Sequence, residues 1–450
     1  MIVNHPRASL RAANAGFGEK VFVPRRMQAA TQRTENGKEA GGTNTRERLR
    51  RVALELFWEK GYRLTSTRDL ATALGVKQAS LYYHVKNKEE LLHEICYNAL
   101  QQVIEKVKAA AQRADTPIKK LGAIAQTHMV ATLELQKEFL VAMYDYRSLS
   151  AVCNAEINRF WSDYEQRVSA IYDEAIRRGE MRKDIPHTYH YHAVMSMTNW
   201  SVLWYRPEGA LPLDALGAIF SDLYLNGAAC QGVRVDVRKA TPTSPPREEN
   251  PICETRNETH ARLVDTASAL FAAGGYATTS IRTIAQAMGV EPSSLYYYVP
   301  SKDALCYEII HAAHEHMLTE VERAVDGVQN AQERMLRLIV AHVEALLEHQ
   351  NWFAVANEQI NFLDTEKRAE IVQLRDRYEA RVRDALKAAQ SAGVLRGDID
   401  ARLLGFALLG MITHIYPWYR PGIDLAPREL ALLLADFFLH GVRQRPMRAA

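Results

Sequence analysis

The sequence predicts an all-α protein built from two copies of one unit. Three observations carry this. Apolar residues recur at helical spacing along the chain, and no alternating apolar run is bounded by hairpin turns. The chain matches itself at a constant offset of 214 residues. Its 450 residues, 47% apolar and 24% charged, have ordinary globular composition at about three times the ~150 residues of one domain.

The duplication is read from anchors. Gly61-Tyr62 recurs as Gly275-Tyr276, Leu81-Tyr82-Tyr83 as Leu295-Tyr296-Tyr297, and Lys88 as Lys302. Asp184-Ile185 recurs as Asp398-Ile399, and Trp204-Tyr205-Arg206-Pro207 as Trp418-Tyr419-Arg420-Pro421. Between Arg48–Ile95 and Arg262–Ile309, 23 of 48 positions are identical.

Residues 1–44 carry seven Lys/Arg against three Asp/Glu without sustained periodicity, and are expected to be a disordered leader. Leu49, Val52, Ala53, Leu56 and Phe57 then fall on one face of a first helix. Ser66-Thr67-Arg68-Asp69 starts a second as a capping box, and Gly75 stops it. A third short helix carries Leu81, Tyr82 and Tyr83, with Leu81 and Val85 assigned to the core. Asn87 caps a long fourth helix, with Glu90 at its third position. Further helices are expected at 117–135, 138–148, 154–179, 187–205 and 212–229, about nine per copy. Residues 233–257, with Pro242, Pro245, Pro246 and Pro251, read as a linker. Segments 403–416 and 429–439 are apolar on nearly all sides and require burial on both faces.

Helix, Gly61-Tyr62 turn, short helix, Gly75 turn, short helix is a helix-turn-helix plan, whose last helix enters the major groove. The stretch Gly61–Leu92, GYRLTSTRDLATALGVKQASLYYHVKNKEELL, resembles the DNA-binding domain of TetR-family repressors, as does GYATTSIRTIAQAMGVEPSSLYYYVPSKDAL in the second copy. The resemblance implies two TetR-like units, each a three-helix DNA reader (45–91 and 258–305) followed by a helical ligand-binding and dimerisation domain (92–232 and 306–445). It implies double-stranded operator DNA as partner. In that family the last two helices form the dimer's four-helix bundle, which here could form within one chain, with further pairing of two chains left open.

Charge agrees locally. The whole chain is only +3, but residues 45–91 hold ten Lys/Arg against six Asp/Glu, an excess suited to phosphates. Residues 259–305 hold three of each. Lys77, Gln78, Ala79 and Ser80 open the third helix, where Gln can read adenine and Lys guanine. Glu291, Pro292, Ser293 and Ser294 stand there in the second copy, making that reader weaker or differently specified. By the resemblance, Tyr82, Tyr83, His84 and Lys88, with Tyr296, Tyr297, Tyr298 and Lys302, take phosphate-side positions, one tyrosine of each pair being an equal candidate for core. Thr65, Ser66, Thr279 and Ser280, at the start of the second helix, complete the candidate DNA contacts.

The segment Met195–Gly209, MSMTNWSVLWYRPEG, resembles the ligand domain of TetR-like repressors of fatty-acid and steroid catabolism that sense acyl-CoA thioesters. That resemblance makes an acyl-CoA-like inducer the favoured small molecule. Trp200, Trp204 and Trp418 are candidate wall residues, Arg206 and Arg420 candidate phosphate donors, and Phe139, Met143, Tyr144, Phe353, Asn357 and His414 further lining. Arg206, at the helix end set by Pro207, serves equally well as a cap on the final carbonyls. His414 replaces Trp200 in the second copy, and Pro417 should end that helix early. A drug or aromatic inducer is the alternative. Another is a helical binding protein with one inactive reader.

No HExxH, GxSxG, Walker A or GxGxxG motif is present, so catalysis has no support and no cofactor is expected. His311, His314 and His316, with Glu315, come nearest to a metal cluster, as do His187, His190 and His192, but each set reads as helix-surface histidines and no metal site is expected. Five scattered cysteines suit a reducing cytosol, and no apolar run reaches bilayer length, so a cytoplasmic protein is expected.

Overall fold

The computed structural model describes residues 42–207, 209, 211–239 and 258–443. The leader expectation lies outside them for residues 1–41, and residues 42–44 belong to the first helix; most of the expected linker also lies outside. Ten α-helices are described in the first repeat. They are α1 (Gly42–Lys60), α2 (Thr67–Leu74), α3 (Gln78–Leu81), α4 (Lys88–Gln112), α5 (Pro117–Glu134), α6 (Gln136–Asp145), α7 (Ala151–Arg177), α8 (His187–Asn199), α9 (Ser201–Trp204) and α10 (Leu213–Asn226). The second repeat has nine: α11 (Glu258–Gly274), α12 (Ile281–Met288), α13 (Pro292–Leu295), α14 (Lys302–Val325), α15 (Ala331–Glu348), α16 (Gln350–Glu358), α17 (Thr365–Ser391), α18 (Ala401–Thr413) and α19 (Pro427–His440).

Local chemistry sets the boundaries. Ser66 Oγ accepts from Asp69 N–H while the Asp69 carboxylate accepts from Ser66 N–H, so two otherwise unpaired donors are satisfied reciprocally. Gly75 ends α2 at φ +72°, a left-handed conformation that a Cβ would strain. Asn87 Oδ1 accepts from Glu90 N–H and starts α4, a rod of about 37 Å at ~1.5 Å per residue. The expected helix 187–205 divides, because Leu203 N–H bonds back to Trp200 O and tightens the last turn. In the second repeat α18 stops at Thr413, ahead of Pro417. The expected linker is not wholly a connector. Val235 and Val237 are buried, and Val235 N–H donates to His440 Nε2 of α19.

The two repeats pack on each other through α8 against α18 and α10 against α19. The contacts are reciprocal under the 214-residue offset. Met181 pairs with Arg443 and Ala229 with Leu395 in isolated bridges. Arg182 N–H donates to Val442 O at 3.0 Å and Arg396 N–H to Ala228 O at 2.9 Å. Arg182 pairs with Asp436, and Arg396 with Asp222. Trp204 stacks on Phe406 (ring centroids 4.3 Å apart) and Trp418 on His192 (4.5 Å). Trp200 and His414, counterparts of each other, meet at 6.5 Å, beside the local two-fold axis. Each of these contacts is returned by the counterpart residues in the other repeat, the pattern of an isologous interface. Gly227 (φ +75°) and Gly441 (φ +64°) are also counterparts. A Cβ on either would lie under 3 Å from the other repeat's backbone, so glycine is required where the helix ends cross.

Candidate DNA-reading surfaces and the cavity between the repeats

The first reader is the packed trihelix α1–α3 with the start of α4, closed around Leu49, Phe57, Leu70, Leu81 and Val85. Lys77, Gln78 and Ala79 are exposed at the start of α3, with Ser80 half-buried. Gln78 Nε2 donates to Thr67 Oγ1 at 2.9 Å, which holds its amide against the start of α2. Tyr82 and Tyr83 are 51% and 89% exposed, so neither is core; His84 is half-buried. Much of the local positive charge is internally neutralised: Arg46 pairs with Glu90 and Glu94, Arg50 with Glu47, and Lys60 with Asp69. Arg68, Lys77 and Lys86 stay exposed and outside any ion pair among the described residues. Ser66 is exposed, but its hydroxyl serves the cap.

Two expected contacts are corrected in each reader. Thr65 and Thr279 are buried, and their hydroxyls donate to Gly61 O (2.9 Å) and Gly275 O (3.0 Å), bracing the turn rather than facing DNA. Lys88 is not a free surface cation. Its ammonium donates to Tyr62 O at 2.7 Å and Thr65 O at 2.8 Å, 4.1 Å above the Tyr62 ring. Lys302 repeats this with Tyr276 O and Thr279 O at 3.0 Å each, 4.2 Å above the Tyr276 ring. Each lysine clamps the start of the long helix to the turn before the second, and partial burial lowers the Lys88 pKa. In the second reader Ser280, Glu291, Ser293, Ser294, Tyr296 and Tyr297 are exposed, while Tyr298 is half-buried and lies against His260. With Lys302 turned inward, Arg262 and Arg282 are that reader's remaining exposed cations.

A cavity of about 240 Å³ lies below the first reader. Cys96 and Leu100 of α4 form one wall, Phe139 and Met143 of α6 and Trp161 of α7 another, and Asn199, Trp200 and Leu203 a third. The second repeat closes it with Asn357, Glu358, His414, Tyr416 and Pro417. Of the expected lining, Phe139, Met143, Tyr144, Trp200, Asn357 and His414 are present. Trp204, Arg206, Phe353, Trp418 and Arg420 lie outside the lining. Trp204 and Trp418 are spent on the inter-repeat stacks. Arg206 Nη1 donates to Leu203 O and Tyr205 O, capping its own helix end, and Phe353 is buried in the second repeat's core. Glu358, Tyr416 and Pro417 could not be found from sequence, because they reach this cavity only by packing across repeats.

Under the cavity runs a buried polar chain. Tyr164 OH donates to His128 Nδ1 (3.3 Å), and His128 Nε2–H donates to Asn199 Oδ1 (2.8 Å). Burial holds the His128 pKa down to about 4, so the ring is neutral, and this tautomer leaves the Asn199 amide NH₂ as the donor available to the cavity. The second repeat keeps the chain as Tyr378–His342–Thr413. It does not keep the apolar walls. Arg375 stands at the position of Trp161 and His314 at that of Leu100. The buried Arg375 guanidinium donates to His314 Nε2 (3.1 Å) and Ala356 O (2.9 Å). Burial pulls its pKa down to about 10. A charged, hydrogen-bonded pair thus occupies the positions that border an apolar space in the first repeat.

Comparisons with known proteins follow this division. The model "Bacterial regulatory proteins, tetR family" matches residues 49–95 and 263–309, and "Tetracyclin repressor-like, C-terminal domain" matches 114–228 and 328–442. The chain is similar to the HTH-type transcriptional repressor KstR2 of Mycobacterium tuberculosis, 26% identical over 203 residues, covering 43% of this chain and 98% of that protein. It is similar to the fatty acid metabolism regulator protein of Bacillus subtilis, 23% identical over 134 residues, covering 30% of this chain and 69% of that one. Among solved structures, the TetR family transcriptional regulator PfmR from Thermus thermophilus is 32% identical, covering 40% of this chain and 98% of that chain, with a TM-score of 0.38. KstR2 thus corresponds in length to one repeat, and the relatives are regulators rather than enzymes. With both family domains present twice over more than half its length, this chain belongs to the TetR family of bacterial regulatory proteins.

Proposed function

We propose that this chain is a ligand-responsive transcriptional repressor that presents two DNA readers from one polypeptide, as a single-chain pseudo-dimer, and leaves its operator when an acyl-CoA or related thioester enters the inter-repeat cavity. One observation carries the reading: the cavity is walled by α4, which rises directly from the first reader, and is closed by the second repeat. An occupant pressing on Cys96 and Leu100 would tilt α4 and move the first reader off the spacing of successive major grooves, ~34–36 Å. The reciprocal inter-repeat contacts support the intrachain pairing, and the charge difference supports unequal readers. The domain limits proposed are those of the sequence: readers at 45–91 and 258–305, ligand domains at 92–232 and 306–445.

The names of the relatives, which concern fatty acid metabolism and the repressor KstR2, favour a thioester over a drug or aromatic inducer. At about 240 Å³ the cavity falls just below the usual ~300–1,000 Å³ of ligand sites, and fits the acyl end alone. Asn199 would donate to the thioester oxygen. With Arg375 and His314 filling the counterpart positions, one ligand per chain is expected. Among the described residues no helix is long and apolar enough to cross a membrane, and a cytoplasmic, DNA-associated location belongs to the same reading.

Two measurements test this. Native mass spectrometry of the minimal operator complex should find one chain per pseudo-palindromic site; two chains in every complex would exclude the intrachain pairing. Operator release should follow CoA thioesters and not the matching free acids. Release by aromatic compounds alone would favour the other inducer class.

A further inference from the structure

The second repeat contains a side-chain cluster that no DNA or ligand role uses. His316 lies on α14, Glu348 is the last residue of α15, and His349 joins α15 to α16. One ligand-type atom from each falls within 4.8 Å of the other two. His316 Nε2 sits 3.2 Å from Glu348 Oε2. Yet Nε2 of His316 and Nε2 of His349 are both buried without an aligned hydrogen-bond partner. An unmet imidazole nitrogen, and a second that meets a carboxylate only in poor alignment, are costly unless a third party satisfies them. His316 is only 7% exposed, whereas Glu348 leaves the cluster open to solvent on one side.

Comparison of the repeats sharpens this. The counterparts in the first repeat are Gln102, Glu134 and Leu135, and there Glu134 is neutralised by Lys106. In the second repeat the lysine is replaced by Glu320, which pairs instead with Arg323. The glutamate is kept, its cation is removed, and histidines replace a glutamine and a leucine around it.

We propose that His316, Glu348 and His349 bind a divalent transition-metal ion of the zinc class, with a water or a further ligand in the fourth position. Two imidazoles and one carboxylate are a donor set of zinc sites, and ligands at ~2.0–2.2 Å in tetrahedral array stand about 3.3 Å apart. The His316–Glu348 pair already has that spacing, and His349 closes the set by a small ring movement. The site would tie the second reader to its ligand domain. α14 starts at Lys302 in the reader. The His349 ring stacks on Trp352 (3.8 Å), whose Nε1–H donates to Asp265 of α11 at 3.0 Å. A bound ion would stabilise this junction by the usual linkage, RT ln(1 + [M]/Kd).

The test uses the untagged full-length chain and cobalt(II), followed by its visible ligand-field absorption, with zinc competition. The variants His316→Gln and His349→Leu each restore the first repeat's own residue. Glu348→Gln keeps both rings should either of those unfold; folding is checked by circular dichroism. The expected result is one cobalt per chain with four- or five-coordinate absorption, displaced by zinc, and affinity reduced in each folded variant by at least the roughly 10–100-fold that loss of an outer-shell partner alone costs. No saturable binding at tens of micromolar metal, or equal binding in the wild type and the folded variants, would overturn the proposal and leave an ordinary His–Glu contact.

Discussion

Replacing Lys88 by Met keeps the length and apolar stem of the side chain and removes only the ammonium. Two charge-assisted hydrogen bonds are lost, to Tyr62 O and Thr65 O at 2.7 and 2.8 Å, with the contact over the Tyr62 ring. Such bonds contribute about 1.5–3 kcal/mol each and the ring contact about 0.5–1 kcal/mol. Lys88 is only half-buried, and Tyr62 O keeps a backbone donor in Thr65 N–H, so the low end applies. The low ends sum to about 3.5 kcal/mol, and solvent screening of the half-buried ammonium reduces this to an expected cost of about 2–3 kcal/mol, felt mainly as local opening of the first reader. Hydrogen exchange should show faster opening of residues 45–91 while 258–443 is unchanged. Non-specific duplex binding measured at several salt concentrations supplies the second axis. A phosphate contact would remove roughly 0.9 from the log–log slope, whereas an internal clamp removes almost nothing. Unchanged protection together with a slope lower by nearly one would refute the clamp and restore Lys88 as a phosphate ligand. Lys302→Met should behave alike in the second reader.

Trp204→Ala should cost about 3–5 kcal/mol in chemical denaturation, because it opens the stack on Phe406 and Phe220 between repeats, while Trp204→Phe should cost far less. Intact stability with lost inducer response would return Trp204 to the ligand wall. Glu291→Lys should raise non-specific DNA affinity and steepen the salt slope by up to roughly 0.9, since it adds an exposed cation to a reader with few; no change would mean that this edge does not meet phosphate. Buried titratable groups should pull stability in opposite directions between about pH 4 and 7. Burial lifts Glu379 to about 7, so its contribution is full below the ordinary carboxylate range and is lost, by up to about 3 kcal/mol, as pH rises through 7. Burial pulls His128 to about 4 and His342 to about 3, so theirs is present above about 6.5 and lost as pH falls toward those values. In pH-dependent thermal unfolding, the stability of Glu379→Gln relative to the wild type should rise as pH goes from about 4.3 to 7; a pH-independent difference would contradict the assignment.

Helix order, the two caps at Ser66 and Asn87, the Gly75 stop and the doubled organisation were all legible in the amino-acid sequence. Each depends on residues a few positions apart, or on a repeat that comparison with the chain itself exposes. The exposed edge of each reader was legible too, because Lys77–Ala79 and Glu291–Ser294 sit at fixed offsets from the Gly75 and Gly289 turns. What a side chain does once several helices converge was not. Lys88 has the composition of a phosphate ligand, and only the carbonyls of Tyr62 and Thr65 beneath it turn it into a clamp. Trp204 and Trp418 share the spacing of pocket residues, and the reciprocal packing of α8 on α18 assigns them to the interface. The cavity drew its last wall from residues more than 150 positions away, and the cluster brings His316 of α14 against the adjacent pair Glu348-His349 at the α15–α16 junction. Periodicity and capping are short-range and therefore written in local sequence. Burial, partnership and pKa are set by whichever groups the chain brings together in space, and these only the tertiary structure decided.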